Sequence, residues 1–182
     1  MVVNLCIDFL KNRTDKKTVD LCSGSGAIAV ALDKISGAKV TAVEIDETAF
    51  SYLETNVKEN NSSVKPVMAD ALEICETFAD GELDLIVSNP PYIKSADIET
   101  LQKEVRLEPR LALDGGEDGY DFYREIVSRW SRKLKKGGAL AFELGENQAD
   151  AVKALMTDKG FSDFKISLDF GGVQRAIIGT LL

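Results

Sequence analysis

The sequence predicts an α/β fold with a mostly parallel seven-stranded sheet, helices on both faces and a C-terminal antiparallel hairpin. Short apolar runs alternate with helical stretches along most of the chain, which is typical of a parallel sheet covered on two sides. A glycine-rich turn joins the first predicted strand to a helix, as in nucleotide-binding α/β units. The last two predicted strands face each other across Gly171-Gly172 and are expected to pair antiparallel. This closing hairpin departs from the plain dinucleotide-binding fold.

The predicted strands are 18–22, 39–43, 64–68, 83–87, 139–144, 161–170 and 174–181. The predicted helices are 3–10, 27–32, 47–59, 120–135 and 147–159. Residues 74–79 are expected to form a helix or an irregular linker, and 93–105 a polar segment with a short helix. The stretch 108–119 is too rich in glycine and charge for the core, so it is expected to be a long loop, and such loops are often functional. Trp130 is expected in the core.

Length and composition narrow the class of protein. A chain of 182 residues is expected to be one domain, with residues 1–17 as a leading helix and linker. Lys and Arg total 22 against 30 Asp and Glu, so the net charge of −8 disfavours DNA or RNA as a partner. The absence of histidine excludes His-based triads and imidazole metal sites, and no metal is expected. The three cysteines form no CxxC pair, which indicates neither a disulfide framework nor a zinc site.

A turn of alternating serine and glycine, 23–26, follows the first strand and opens a helix. Glycine lets the backbone approach a ligand closely, and a helix N-terminus offers free N–H groups. Glu44 ends the second strand about twenty residues later, where a Rossmann-like unit places a carboxylate on ribose hydroxyls. Asp46 fits better as the cap of the next helix. Asp70 follows the third strand and can either reach an adenine amino group or cap a helix. Together these features predict a nucleoside-containing cofactor.

The fourth strand ends in Asn89-Pro90-Pro91-Tyr92. Each proline fixes its own φ and lacks an N–H group, so the loop is expected to be stiff. Open α/β sheets bind ligands at the carboxyl ends of their strands. The Asn89 amide oxygen, the Pro90 carbonyl and the Tyr92 ring suit a planar group that carries an NH2, such as a carboxamide or a nucleobase amine. The alternative is a plain turn that ends the strand.

These motifs resemble those of a known enzyme family. Residues 19–26 and the acidic end of the second strand resemble the S-adenosylmethionine site of class I methyltransferases. The Asn-Pro-Pro-Tyr stretch is similar to the signature of enzymes that methylate a nitrogen conjugated to a π system, including DNA and RNA methyltransferases. The segment 108–123, EPRLALDGGEDGYDFY, is more specific and resembles the peptide chain release factor glutamine methyltransferases (the HemK/PrmC family). The resemblance covers nearly the whole chain.

The resemblance implies that one catalytic domain, 1–182, methylates the side-chain amide nitrogen of the glutamine in the GGQ motif of a release factor. It implies S-adenosylmethionine as cofactor, bound by Asp20, Cys22, Ser23, Gly24, Gly26, Glu44, Ile45, Asp70, Ala71 and Asn89. As catalytic residues, Asn89 and Pro90 are expected to accept the two amide hydrogens of the substrate, with Tyr92 against the carboxamide plane. Substrate contacts are expected from Asn89, Pro90, Pro91, Tyr92, Glu108 and Arg110.

Two features depart from the family pattern. Cys22 stands where the usual glycine turn has its first glycine, and it is expected to weaken cofactor binding without abolishing it. The family's N-terminal helical domain, which helps to dock the release factor, is not expected within this chain. The release factor is the expected partner. The protein is expected in the cytoplasm, because neither a signal peptide nor an apolar run of membrane-spanning length is seen. It is also expected to be a monomer.

Three alternatives remain open at this point. The substrate could be a glutamine of a ribosomal protein, or an exocyclic amine of adenine or cytosine, although the acidic charge argues against nucleic acid. The chain could be a non-catalytic cofactor-binding module, although such a module has no need of the Asn-Pro-Pro-Tyr loop. A nicotinamide-dependent dehydrogenase fits the glycine turn but not the two prolines.

Overall fold

The sheet has seven strands in the order β3-β2-β1-β4-β5-β7-β6, in a computed structural model that describes all residues, Met1–Leu182. The strands are Lys17–Leu21 (β1), Lys39–Glu44 (β2), Lys65–Met68 (β3), Leu83–Ser88 (β4), Leu134–Glu143 (β5), Phe161–Leu168 (β6) and Gln174–Leu181 (β7). Strands β1 to β5 pair in parallel, and β7 runs antiparallel to both β5 and β6. The predicted mostly parallel sheet and the closing hairpin are therefore confirmed.

Helices cover both faces of the sheet. They are Val2–Leu10 (α1), Ala27–Ser36 (α2), Glu47–Glu59 (α3), Arg110–Leu113 (α4), Asp121–Trp130 (α5) and Ala149–Thr157 (α6). Apolar residues of α1, α2 and α3 share one buried cluster, and those of α5 and α6 share the other. Side chains alternate along β4, so Ile86 joins the second cluster while Leu85 and Val87 join the first. None of the helices is both long and apolar enough to cross a membrane.

The strand order brings the ends of β1 and β4 together. These two strands are neighbours although β2 and β3 separate them in the sequence, so the order reverses between them. The Ser88 hydroxyl at the end of β4 donates to the Leu21 carbonyl at the end of β1, at 2.8 Å. A ligand is expected at such a reversal, outside the carboxyl ends of the strands. The glycine turn after β1 and the Asn-Pro-Pro-Tyr loop after β4 thus start from adjacent points.

The prediction of one helix over 120–135 is wrong at its C-terminal end. Helix α5 ends at Trp130, a 3₁₀ turn follows, and β5 begins at Leu134, five residues before the predicted Ala139. Leu134 is 3% exposed and pairs with Leu83, while Lys135 donates to the buried Asp84 carboxylate at 2.8 Å. Tertiary pairing therefore overrides the helical spacing. Trp130 is fully buried, as predicted.

The prediction of a loop over 108–119 also needs correction, because Arg110–Leu113 forms the short helix α4. Leu113 is 6% exposed, so part of this segment belongs to the core. The segment is attached to the chain that follows Tyr92: the Ile93 N–H donates to the Leu113 carbonyl at 2.9 Å, and the Gly115 N–H donates to the Ile93 carbonyl at 2.8 Å. We call residues 107–116 the strap.

Candidate functional site

A cleft of about 320 Å³ opens at the carboxyl edge of the sheet. Nine of the predicted site residues lie on its wall: Cys22, Gly24, Glu44, Ile45, Asp70, Ala71, Asn89, Pro91 and Glu108. The others lie beside or behind the wall: Asp20, Ser23, Gly26, Pro90, Tyr92 and Arg110. The structure therefore brings the glycine turn, the acidic strand ends and Asn89 to one cavity.

Glu44 connects the glycine turn to the end of β2. Its carboxylate accepts the Gly24 N–H at 2.7 Å through Oε2, and the N–H groups of Ile45 and Asp46 through Oε1, both at 2.9 Å. The side chain is 8% exposed, so these bonds hold it in one orientation. A carboxylate offers about four acceptor positions, so at least one remains for a ligand hydroxyl at the cleft wall.

Asp46 and Asp70 both bond to backbone N–H groups next to the cleft. Asp46 accepts the Ala49 N–H at 2.8 Å and caps α3, as predicted. Asp70 accepts the Leu72 N–H, two residues further on, at 2.7 Å. This local bond is of the kind expected if Asp70 caps a helix. Asp70 also lines the cleft, so the local bond and a ligand contact are compatible.

Asp20 is completely buried beneath the glycine turn. Its Oδ2 accepts the Ala29 N–H in the first turn of α2 at 3.1 Å, whereas Oδ1 has no partner. Burial raises the pKa of this carboxyl to about 8. An unpaired buried carboxyl oxygen costs free energy, so the site favours a ligand that brings a hydrogen-bond donor or a positive charge.

Cys22 occupies the first position of the glycine turn in a left-handed conformation, with a φ of 56°. This region of φ is unfavourable for a residue that has a Cβ, and it explains why a glycine is usual here. Burial raises the pKa of the Cys22 thiol to about 12, so the thiol stays protonated at neutral pH. Cys22 lies on the cleft wall, and burial disfavours the thiolate that a nucleophile needs.

Asn89 is exposed, whereas Pro90 and Pro91 on its C-terminal side are buried. Because each proline fixes its φ, the buried pair gives the exposed asparagine a rigid attachment to the sheet. Asn89 lines the cleft, and its amide carries an acceptor oxygen and an NH2 donor. The predicted stiff loop at the end of β4 is thus present, with its side-chain amide on the cleft wall.

Tyr92 lies on the other side of the loop, towards the end of β5. Glycines pack on it closely: a Cβ added to Gly145 would lie 2.9 Å from Tyr92 Cδ2, and one added to Gly115 would lie 2.7 Å from Tyr92 Cα. Burial and the nearby Glu143 carboxylate raise the pKa of the Tyr92 phenol. The ring is half-buried and does not line the cleft.

The strap forms part of the cleft wall. Glu108, Leu111 and two further strap residues line the wall, but Arg110 points away and donates to the Asp114 carboxylate at 3.0 Å. Asp114 also accepts the Ser95 hydroxyl at 2.5 Å. This hydrogen bond contributes most to lowering the pKa of Asp114. Arg110 therefore helps to order the strap.

The cavity has further walls that the sequence analysis did not assign to it: Val43, Asp46, Ala49, Ala69, Leu72, Pro109, Leu111, Ala112 and Phe122. Phe122 belongs to an apolar helical stripe, and that pattern indicates only burial. Pro109, Leu111 and Ala112 were within reach of prediction, since they lie in the segment that carries the family resemblance. Asp46 was assigned only to capping the next helix. The four that remain, Val43, Ala49, Ala69 and Leu72, contribute apolar surface, which no local motif distinguishes from core.

Known proteins resemble this chain in sequence and in fold. The family model "Methyltransferase small domain" matches residues 3–108. A release factor glutamine methyltransferase of Geobacter sulfurreducens is 42% identical over 165 residues, which cover 90% of this chain and 57% of the relative. One of Clostridium acetobutylicum is 34% identical over 183 aligned positions, with 98% and 64% coverage. The crystal structure of a methyltransferase from Pyrococcus furiosus superimposes with a TM-score of 0.72 at 24% identity, over 98% of this chain and 82% of that one.

The comparisons confirm the class I methyltransferase fold and the resemblance to release factor glutamine methyltransferases. The chain spans less than two thirds of the length of both of these relatives, 57% and 64%.

Proposed function

This chain belongs to the methyltransferase small-domain family, and we propose that it transfers a methyl group from S-adenosylmethionine to the side-chain amide nitrogen of the GGQ glutamine of a peptide chain release factor. One observation carries the proposal: the exposed Asn89 shares a cleft wall with Gly24 and Glu44. An acceptor for an amide NH2 and a nucleoside site therefore face the same space. The names of the relatives support the choice of a release factor.

The residues of the cleft fit the proposed cofactor. Asp20 lies behind the wall, and its buried Oδ1 has no partner. Its carboxyl keeps a proton up to about pH 8, and an ammonium group bound at the glycine turn would favour the ionised form. Glu44 keeps acceptor capacity for ribose hydroxyls, and Asp70 lies where it can accept from an adenine amine. Ile45 and Ala71, each next to one of these acids in the sequence, add apolar wall. When bound, S-adenosylmethionine supplies an electrophilic methyl carbon attached to a positively charged sulfur.

Asn89 and Pro90 then orient the substrate. The lone pair of an amide nitrogen is delocalised, so it attacks well only when it is held in line with the methyl carbon. The Asn89 amide oxygen and the Pro90 carbonyl accept the two hydrogens on that nitrogen. These bonds strengthen as positive charge develops on the nitrogen, so they favour the transition state over the ground state.

The other predicted substrate residues contribute in different ways. Pro91 and Glu108 line the same wall as Asn89 and would contact the chain on either side of the glutamine. Tyr92 is half-buried beside Glu143 and does not line the cleft, so contact of its ring with the carboxamide plane stays a prediction. Arg110 acts through the order of the strap. The proposed partner is a release factor, which places the enzyme in the cytoplasm.

The test is transfer of a labelled methyl group to a purified release factor. We expect label on the wild-type factor and none on a factor whose GGQ glutamine is replaced by alanine. Duplex DNA and ribosomal protein serve as competing substrates. If only the DNA or only the ribosomal protein is labelled, that molecule is the substrate and the release factor is not. If no molecule is labelled, the chain is a non-catalytic module.

Asn89→Ala tests the orientation role. We expect kcat to fall by about 100-fold or more, because the amide loses one of its two acceptors, while the Kd for S-adenosylmethionine changes little. Asn4→Ala on the exposed surface of α1 is the matched control. Activity of Asn89→Ala within a few-fold of wild type would show that Asn89 does not orient the substrate.

A further inference from the structure

Gln148 lies at the start of α6, 56 positions after Tyr92 in the sequence, and yet its side chain contacts the Asn-Pro-Pro-Tyr loop. It is 8% exposed. Its Nε2 donates to the carbonyls of Tyr92, at 3.1 Å, and Gly119, at 3.2 Å. Its Oε1 accepts the Gly145 N–H at 2.9 Å and lies 3.2 Å from the Tyr123 hydroxyl.

These contacts use both donors and at least one lone pair of the side chain. The single hydroxyl hydrogen of Tyr123 is shared between Gln148 Oε1, at 3.2 Å, and the Glu143 carbonyl, at 2.9 Å. Rotating the amide by half a turn would place its oxygen against two carbonyls and its NH2 against the Gly145 N–H. Only one orientation of the amide pairs donors with acceptors, so the Gln148 side chain is held in that orientation.

The loop needs this support because of its composition. Pro90 and Pro91 have no N–H, so this part of the loop can be attached to the protein only through its carbonyls and by packing. The Tyr92 carbonyl receives the Gln148 N–H, and Gly115 and Gly119 pack against the Tyr92 backbone without a side chain between them. A Cβ at Gly119 would lie 2.6 Å from the Tyr92 oxygen.

We propose that Gln148 is a positioning residue for methyl transfer: its hydrogen bond to the Tyr92 carbonyl sets the place from which Asn89 and Pro90 receive the substrate amide. The inference rests on the proposed function, and it concerns a residue outside the cleft wall. Gln148 acts through the loop and does not touch substrate or cofactor. Its loss therefore lowers kcat and leaves cofactor binding, which depends on the ends of β1, β2 and β3, unchanged.

Two variants test this. Gln148→Asn stays neutral but withdraws the amide by about one bond, roughly 1.5 Å, out of reach of the Tyr92 carbonyl. Gln148→Glu keeps the length and the Oε1 acceptor but loses the NH2. Tyr123→Phe is the matched control, since it removes a partner of the same amide and leaves the bond to the loop in place.

We expect kcat to fall by about 100-fold in Gln148→Asn, with the Kd for S-adenosylmethionine within about two-fold of wild type. Tyr123→Phe should lower the melting temperature but keep kcat within a few-fold. In Gln148→Glu the loss of kcat relative to wild type should be larger at pH 8 than at pH 6. At the lower pH more of the introduced acid is protonated, and a protonated acid can again donate to one carbonyl. The titratable groups around this position are Tyr92, Glu108, Tyr120, Tyr123, Glu143 and Arg175. Dividing the variant's pH profile by the wild-type profile removes their shared contribution.

Hydrogen exchange gives a readout that needs no activity. Amides of residues 92–95 should exchange faster in Gln148→Asn than in wild type, with no change over β1 and β2. Unchanged exchange in 92–95, or equal kcat losses in Gln148→Asn and Tyr123→Phe, would overturn the positioning role. A wild-type chain that labels no release factor would instead refute the proposed function, and the exchange rates would still decide whether Gln148 holds the loop.

Discussion

Gly115→Ala should slow methyl transfer without touching the cleft. Gly115 is buried against the loop, and an added Cβ would lie 2.7 Å from Tyr92 Cα and 2.9 Å from the Pro91 oxygen. Ordinary van der Waals contact begins at 3.4 Å, so Tyr92 must move by about 3.4 − 2.7 = 0.7 Å. The neighbouring atoms are backbone, and a rotamer change cannot absorb the shift.

A shift of this size has separate consequences for stability and for rate. Overpacking a filled site costs about 1–3 kcal/mol of unfolding free energy. A displacement near 1 Å in a group that orients a reacting atom can cost about 100-fold in rate, so we expect a loss of about 10- to 100-fold in kcat. Gly115 is not on the cleft wall, so the Kd for the cofactor should stay within about two-fold.

The assay combines single-turnover methyl transfer to a release factor, calorimetric titration with S-adenosylmethionine, and thermal unfolding. Gly171→Ala is the control, because its Cβ would meet only the Asp169 side chain, at 3.2 Å, in the β6–β7 turn. A Gly115→Ala protein with a wild-type kcat would mean that Tyr92 can move without displacing Asn89 and Pro90. The reasoning about a rigid loop would then be wrong.

Two further predictions concern the cofactor half of the cleft. Glu44→Ala should raise the Kd for S-adenosylmethionine by about 10- to 100-fold, because a hydrogen bond to a charged acceptor is worth about 1.5–3 kcal/mol. Glu47→Ala, exposed at the start of α3, is the control and should leave this Kd unchanged. Equal affinities of the two variants by calorimetry would remove Glu44 from the site. Asp20→Asn should flatten the pH dependence of stability: the folded protein keeps the Asp20 proton up to about pH 8, and the unfolded chain releases it near its usual 3.8. The folded state therefore binds more protons in this window and the free energy of unfolding falls as pH rises, by up to about 1.4 kcal/mol per unit. Urea titrations from pH 5 to 8 that give the same slope for both proteins would contradict this assignment.

The β5 region and the strap show where reading the sequence failed. Residues 131–135 are predicted to continue the helix of α5, yet Leu134 pairs with Leu83 and Lys135 binds Asp84, partners about fifty positions away. A local pattern carries no information about such partners, and the burial they provide outweighs helix propensity. In the strap, glycine and charge predict a loop, but the bonds between Ile93 and residues 113 and 115 give it a fixed place over the cleft.

The sequence by itself determined the order of the elements, the glycine turn, the acidic ends of β2 and β3, and the stiff loop after β4. These features follow from short-range causes: apolar periodicity, the conformational freedom of glycine, the fixed φ of proline, and the rule that ligands bind at the carboxyl ends of parallel strands. Tertiary structure alone decided that Tyr92 lies behind the loop, that Phe122 and the strap complete the cleft, and that Gln148 holds the loop from 56 positions away. Those outcomes depend on which distant surfaces meet when the sheet assembles, and no stretch of the chain contains both partners.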